Sequence, residues 1–276
     1  MRDDPGIAIP EERTVSAEAR VVSLHRYPIK GLCAESLDSV ALTAGRGFPH
    51  DRAWGFARHG TDFDPAHPAP LPKTKFLMLA RDERLASLDT RFDPATAALT
   101  ITTDAGETSR FDMGTETGRD AASAFLADLL ELGPERAPRF VSAGRDHRFT
   151  DVSVVSGTLM HAVSLLNLAS VRDLEARTGR TVEPERFRAN LVVDGLEPWA
   201  ELELEGRDVR VGDVRMRGVL RTRRCAATEI NPDTARRDVR VPRLLLDELG
   251  HADMGVYLEV RGTGTSRPGD PVRVDT

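Results

Sequence analysis

The sequence predicts a mainly β protein with peripheral helices (α+β), in which a β-barrel domain follows a smaller β-rich domain. Short β-type runs recur roughly every ten residues and are separated by glycine-bearing turns, a spacing typical of barrels and sandwiches. Hydrophobic and polar residues alternate in the second half of the chain with the period of a strand. At 276 residues the chain exceeds the usual size of one hydrophobic core, so we expect two domains.

The first half of the chain is predicted to hold strands, one long loop and one helix. The strands are expected at residues 21–27, 39–43, 52–57 and 99–102. Four prolines lie between Asp62 and Pro72, which favours a loop there. After Arg119, apolar side chains fall on one face of a helix that ends at Gly133.

The polar stretch from Ser142 to Asp151 is the predicted domain boundary. We expect a flexible tail at residues 1–18, the smaller β-rich domain at 19–145 and the barrel domain at 146–276.

The second half is predicted to be rich in strands, with two helices. A strand at residues 161–166 leads into a helix that Asn167 or Ser170 caps and Gly179 ends. A β-meander with turns at Gly206 and Gly212 is expected from six alternating hydrophobic residues: Leu202, Leu204, Val209, Val211, Val214 and Met216. The second helix is expected at 241–250, with strands at 255–260 and 271–274. This pattern fits a closed or nearly closed barrel.

Composition restricts the possible functions. The net charge of −6 argues against general nucleic-acid binding, which needs a basic surface. No window approaches the roughly 18 apolar residues of a membrane span, and the first residues lack the apolar core of a signal peptide. We therefore expect a cytoplasmic protein without membrane or nucleic-acid partners. The two cysteines, Cys33 and Cys225, exclude a disulfide framework, a four-cysteine zinc site and a self-contained iron–sulfur cluster.

Cys225 has the surroundings that point most directly to chemistry. Three arginines precede it within four positions, in the run Arg221-Thr222-Arg223-Arg224. Neighbouring cations favour the thiolate, which is the form that binds metals and acts as a nucleophile. Free cysteines are also among the most buried residues of proteins, so a structural thiol beside surface arginines is the alternative on local residues alone.

Several short motifs occur in a specific order from about Arg20 to Val274. They are Tyr27-Pro28-Ile29-Lys30, Asp51-Arg52-Ala53-Trp54, the segment 187–195, Arg224-Cys225 with Asn231-Pro232-Asp233-Thr234, Gly255-Val256-Tyr257, and Pro268-Gly269-Asp270. Each motif is weak alone, but the ordered set resembles the MOSC family together with the β-barrel region that precedes its domain.

This resemblance implies a molybdenum cofactor whose metal is held by a pterin dithiolene and by the motif cysteine, here Cys225. A soft thiolate is also the ligand that such a metal accepts. By the same resemblance Lys30, Arg52, Arg188 and Asn190 contact the cofactor, with arginine suited to clamp its phosphate in a bidentate manner. Asp151 and Ser153 resemble a segment near the cofactor, although an isolated Asp-x-Ser also caps helices and strands.

The sequence departs from the family pattern at two places. Gly31 stands where a serine commonly follows the lysine, so one phosphate-facing hydroxyl is missing. The family's threonine and arginine before a proline are also absent, and Lys73 or Lys75 are the nearest substitutes.

Two function classes follow. The first is a molybdenum-dependent oxidoreductase that abstracts oxygen from N-oxygenated small molecules, as the amidoxime-reducing members of the family do. Its electrons would come from an external flavoprotein, ferredoxin-like protein or cytochrome, because the cysteine count leaves no built-in cluster. The alternative is a carrier that holds the cofactor, or sulfur on Cys225, for another enzyme. A third possibility is that the fold persists without the cofactor and that Cys225 is only structural.

Overall fold

A computed structural model describes residues 18–144 and 146–274. The predicted tail, residues 1–18, lies outside the described residues except for Glu18. The strands are β1 Arg20–Arg26, β2 Glu35–Leu37, β3 Val40–Leu42, β4 Trp54–Ala57, β5 Asp89–Asp93, β6 Ala98–Thr102, β7 Thr108–Asp112, β8 Arg139–Ser142, β9 Val163–Asn167, β10 Leu191–Asp194, β11 Asp208–Val211, β12 Val214–Arg223, β13 Asp253–Val260, β14 Gly264–Ser266 and β15 Val272–Val274. The helices are α1 Glu116–Leu129, α2 Gly157–Met160, α3 Leu168–Thr178 and α4 Val241–Leu249. Strands dominate, which confirms the predicted fold class.

One curled sheet forms the centre of the molecule. Its strand order is β15-β11-β12-β13-β9-β10-β1-β2, and only β9 and β10 pair in parallel within it. The start of β1 also bonds to the segment that opens β15, because Val21 N donates to Asp270 O at 2.9 Å and Val272 N donates to Ala19 O at 2.7 Å. These bonds join the two ends of the sheet and leave few free strand edges.

The interior of this sheet is the main hydrophobic core. Alternate residues of the long strands point inward, as shown by Val214 and Met216 of β12 and by Val256 and Leu258 of β13, all of which are buried. Each such side chain contributes about 1.5–3 kcal/mol when it leaves water. The alternation that predicts these strands is therefore the pattern that fills the barrel.

A second layer lies on the N-terminal side. The three-stranded sheet β5-β6-β7 packs with α1 around a separate core, and β4 pairs with β8 beside it. Thr115 caps α1 by accepting a hydrogen bond from Gly118 N. The proline-rich stretch from Asp62 to Pro72 forms neither helix nor strand, as predicted. Strands β1 and β2 come from the first half of the chain but belong to the central sheet, so the two halves share one sheet.

The start of the predicted meander is wrong. Leu202 and Leu204 lie in a 3-10 helix, Ala200–Leu204, instead of a strand. Both side chains are buried, and Trp199 turns the chain into this helix with a φ of +68°. In this 3-10 helix the two buried leucines are two positions apart, which is also the spacing of inward-facing residues in a strand. The signals for the first helix of the second half are confirmed: Asn167 caps α3, and Gly179 ends it in the left-handed region. Gly250 ends α4 in the same conformation.

Candidate functional site

A cavity of about 560 Å³ lies where the end of β12, the turn after β1 and the loop at residue 151 meet. This volume is in the usual range for small-molecule and cofactor sites. Six of the seven predicted site residues line it: Lys30, Arg52, Asp151, Arg188, Asn190 and Cys225. The tertiary structure therefore brings together residues that are up to 195 positions apart in the chain.

Cys225 lies at the wall of this cavity with part of its surface exposed. It follows β12 and begins a 3-10 helix, Ala226–Glu229. Its carbonyl accepts hydrogen bonds from the backbone N and the hydroxyl of Thr228, at 3.0 and 2.9 Å. The backbone is thereby held in place while the thiol remains accessible, which is the arrangement that a metal-binding or reactive cysteine needs.

An acidic group with two lysines forms one side of the site. Lys30 donates to one carboxylate oxygen of Asp151, and Lys73 Nζ lies 3.2 Å from the other. Burial alone raises the pKa of Asp151, but the two ammonium groups outweigh it and hold this pKa below the usual range of a carboxyl. Burial lowers the pKa of Lys30, which the carboxylate opposes. Lys73 also acts electrostatically on the Cys225 side chain, and both residues line the cavity.

Two guanidinium groups stack on the ring of Tyr27. Arg52 lies 4.5 Å and Arg188 lies 4.3 Å from the ring centroid. Arg52 donates to Asp51 at 2.6 Å, and Arg188 donates to Leu32 O at 2.7 Å. Burial raises the pKa of Tyr27 to about 12, although both guanidinium groups oppose that change. The ring and these bonds orient two cations toward one cavity, which suits an anionic ligand.

Asn190 and Ser153 have mainly internal partners. The Asn190 side-chain oxygen accepts from Ser164 N at 3.1 Å and from the Ser164 hydroxyl at 3.0 Å, and its Nδ2 donates to His25 O at 3.1 Å. This amide holds β9 and β1 together at the cavity wall. Ser153 is buried, donates to Thr150 O at 2.9 Å and does not line the cavity. The structure thus separates Ser153 from the other six residues.

The cavity also contains buried polar atoms without a hydrogen-bond partner in the described part of the chain. They are the hydroxyls of Thr150 and Thr222 and Nη2 of Arg224. Buried polar groups are nearly always satisfied in folded proteins, so their grouping around one cavity indicates a polar ligand. Sequence reasoning did not assign these three residues. For Thr222 the period of two along β12 was an available signal, because it lies on the buried side of that strand.

The charge of the cavity is opposite to that of the chain. Its lining contains eight basic side chains and three acidic ones: Lys30, Arg52, Lys73, Arg186, Arg188, Arg221, Arg223 and Arg224 against Asp151, Glu205 and Asp253. Arg224 is buried and donates to Met254 O at 2.7 Å and to Phe187 O at 2.9 Å. Burial lowers its pKa to about 10. Positive charge is therefore concentrated locally in a protein whose net charge is −6.

Two structural features are absent from the described ranges, residues 18–144 and 146–274. No group of three or more histidine, cysteine, aspartate or glutamate side chains there could hold a metal ion on its own. No helix among those residues has the length and apolar character needed to cross a membrane.

Comparison with protein families identifies the class. Residues 18–132 match the family described as the MOSC N-terminal beta barrel domain, and residues 152–273 match the MOSC domain. The chain belongs to the MOSC family and carries both domains.

Curated relatives extend over most of the chain. Mitochondrial amidoxime-reducing component 1 of Homo sapiens is 24% identical, over 94% of this chain and 84% of that protein. Its counterpart in Mus musculus is 26% identical, over 94% and 83%. Mitochondrial amidoxime reducing component 2 of Rattus norvegicus is 34% identical, over 40% and 36%. A solved YuaD protein of Bacillus subtilis covers 94% of this chain and 96% of its own, with a TM-score of 0.40 and 12% identity.

Proposed function

We propose that this protein is a molybdenum-cofactor-dependent oxidoreductase that reduces N-oxygenated small molecules with electrons from an external donor protein. One observation carries the proposal: an accessible cysteine lies in a cation-rich cavity that contains unpartnered buried donors. The names of the amidoxime-reducing relatives support the reaction class. A cytoplasmic location belongs to the same proposal.

The residues of the cavity fit the cofactor. Cys225 would supply the thiolate ligand of the metal, and the donor set opposite it suits a phosphate-bearing pterin. Arg188 has five N–H donors, of which one meets Leu32 O, and Arg224 keeps Nη2 unpartnered. When bound, the cofactor would supply the redox-active metal that accepts oxygen from an N–O bond.

The chain itself contributes binding and orientation. Reduction of an N-hydroxyl compound consumes two electrons and two protons and releases water. The Asp51 and Tyr27 contacts hold Arg52 in place, and the Thr228 contacts hold the Cys225 backbone in place. Such fixed positions lower the cost of ordering the site when the ligand binds.

The test is reduction of a model amidoxime by purified full-length protein from a cofactor-competent host, with a chemical reductant as electron source. We expect the initial rate to rise in proportion to the molybdenum content of independent preparations. Loaded protein that does not reduce the amidoxime would contradict the proposed reaction.

The carrier function is the second candidate, and the accessibility of Cys225 is the observation in its favour. A carrier would bind the cofactor without turnover and release it to an acceptor apoenzyme. Mixing loaded protein with such an apoenzyme, and measuring the activity that the acceptor gains, separates the two functions.

A further inference from the structure

Lys73 lies on the cavity wall, in the segment where this sequence departs from the family motif. It begins the 3-10 helix Lys73–Lys75, directly after the proline-rich loop. Of the two lysines that share Asp151, Lys30 is 7% exposed and Lys73 is 32% exposed. Lys73 is therefore the one that faces the open part of the cavity, beside Cys225.

The Lys73 ammonium group retains capacity for a ligand. It has three N–H donors, of which one meets Asp151. The two ammonium groups share a single carboxylate, so the cluster has one excess positive charge. Two other carboxylates line the cavity, those of Glu205 and Asp253. Glu205 lies 3.7 Å from the guanidinium group of Arg221.

We propose that Lys73 sets the substrate preference of this cavity and favours N-oxygenated molecules that carry a negative charge, such as a carboxylate, close to the N–O group. This inference rests on the proposed function. Solvent screens a partly buried ammonium group less than it screens a surface charge, so the ammonium group of Lys73 attracts a bound anion more strongly. Lys73 acts here as a specificity-determining residue.

The first test uses full-length protein prepared without cofactor and the thiol of Cys225 as the probe. Anionic iodoacetate and neutral iodoacetamide alkylate the same sulfur, so the ratio of their rates reports the local charge and cancels effects common to both reagents. We expect Lys73→Met to lower the iodoacetate-to-iodoacetamide ratio about fivefold. The modified peptide that contains Cys225 is quantified by mass spectrometry.

Three variants control this measurement. Lys73→Arg keeps the charge and should keep the ratio, while Lys73→Gln keeps a donor without the charge and should lower the ratio like Lys73→Met. Lys75→Met is the matched control, because Lys75 belongs to the same 3-10 helix but is exposed and does not line the cavity. An unchanged ratio in both uncharged Lys73 variants would overturn the proposal, and so would an equal fall in Lys75→Met.

The second test uses loaded protein and two amidoximes that differ by one carboxylate. We expect Lys73→Met to raise KM for the anionic substrate about fivefold relative to KM for the neutral substrate. A lysine that only maintains the fold would affect both substrates alike, and that result would contradict a role in specificity. If loaded protein reduces neither substrate, the proposed function fails, whereas the alkylation ratio still decides the charge preference at Cys225.

Discussion

The two cysteines of the chain lie in opposite environments. The thiol of Cys33 donates to Leu88 O at 2.6 Å, its backbone N donates to the Thr90 hydroxyl at 3.2 Å, and it does not line the cavity. Cys225 lies on the wall of the cavity that Lys73 also lines. The Cys33 thiol is thus hydrogen-bonded to the backbone, whereas the Cys225 side chain lines the cavity. Position in the fold, and not residue type, separates a structural thiol from a candidate metal ligand.

Replacing each cysteine is the strongest test of this difference. We expect Cys225→Ala to reduce molybdenum content to background and the amidoxime reduction rate by about 100-fold or more, because the metal loses its protein ligand. Cys33→Ala is the matched control and should retain both. Elemental analysis and the reductant-driven assay measure the two quantities. Equal molybdenum in wild-type protein and Cys225→Ala would remove Cys225 as the ligand.

Arg188 lies between the two regions, since it lines the cavity and also acts electrostatically on Cys33. We expect Arg188→Met to weaken cofactor retention by about 10- to 100-fold, as loss of a supporting contact does at metal sites. Arg188→Lys should recover only part of this, because an ammonium group cannot clamp a phosphate in a bidentate manner. The fraction of cofactor that remains after gel filtration measures the effect. Full retention in Arg188→Met would show that the anion binds elsewhere.

The segment after Cys225 is tied to the N-terminal side by Arg237. Arg237 donates to Ala226 O at 3.0 Å and to Ala80 O at 2.9 Å, and it lies 2.7 Å from Glu83. We expect Arg237→Met to raise the cofactor dissociation rate about threefold, because each such charged hydrogen bond contributes roughly 0.5–1.5 kcal/mol.

The neighbouring Arg236→Met is the control for this change, since Arg236 is exposed. Thermal unfolding of the cofactor-free variants separates loss of overall stability from loss of cofactor. Equal dissociation rates in both variants would show that Arg237 does not position the Cys225 segment.

The smallest expected effect is on the titration of Cys33. Burial raises the pKa of Cys33, and Arg188 opposes that change. At a given pH a smaller fraction of this thiol is ionised than of an ordinary cysteine. Its alkylation rate should therefore continue to rise at pH values where the rate of an ordinary cysteine has levelled off. In Arg188→Met the opposing charge is lost, and the rise should move to higher pH. Mass spectrometry of the alkylated Cys33 peptide as a function of pH measures this profile. A profile that moved to lower pH in Arg188→Met would contradict the prediction.

The outcome of sequence prediction differed between the two halves of the chain. The long strands β12 and β13 were predictable because one face is buried and the other is solvated, which produces a clear alternation. Strands β5 and β7 were not predicted, since each is short and mostly polar and is stabilised by pairing with β6. Strand pairing is a tertiary interaction that local sequence records only weakly.

The sequence by itself determined the class of fold, the family and the cysteine on which the proposal depends. It did so because ordered motifs and strand periods are local properties of the chain. Only the tertiary structure decided which residues share the cavity: it placed Thr222, Arg224 and Lys73 there, and it separated Ser153 and Cys33 from it. The reason is that burial, unpartnered donors and opposed charges arise from contacts between distant segments.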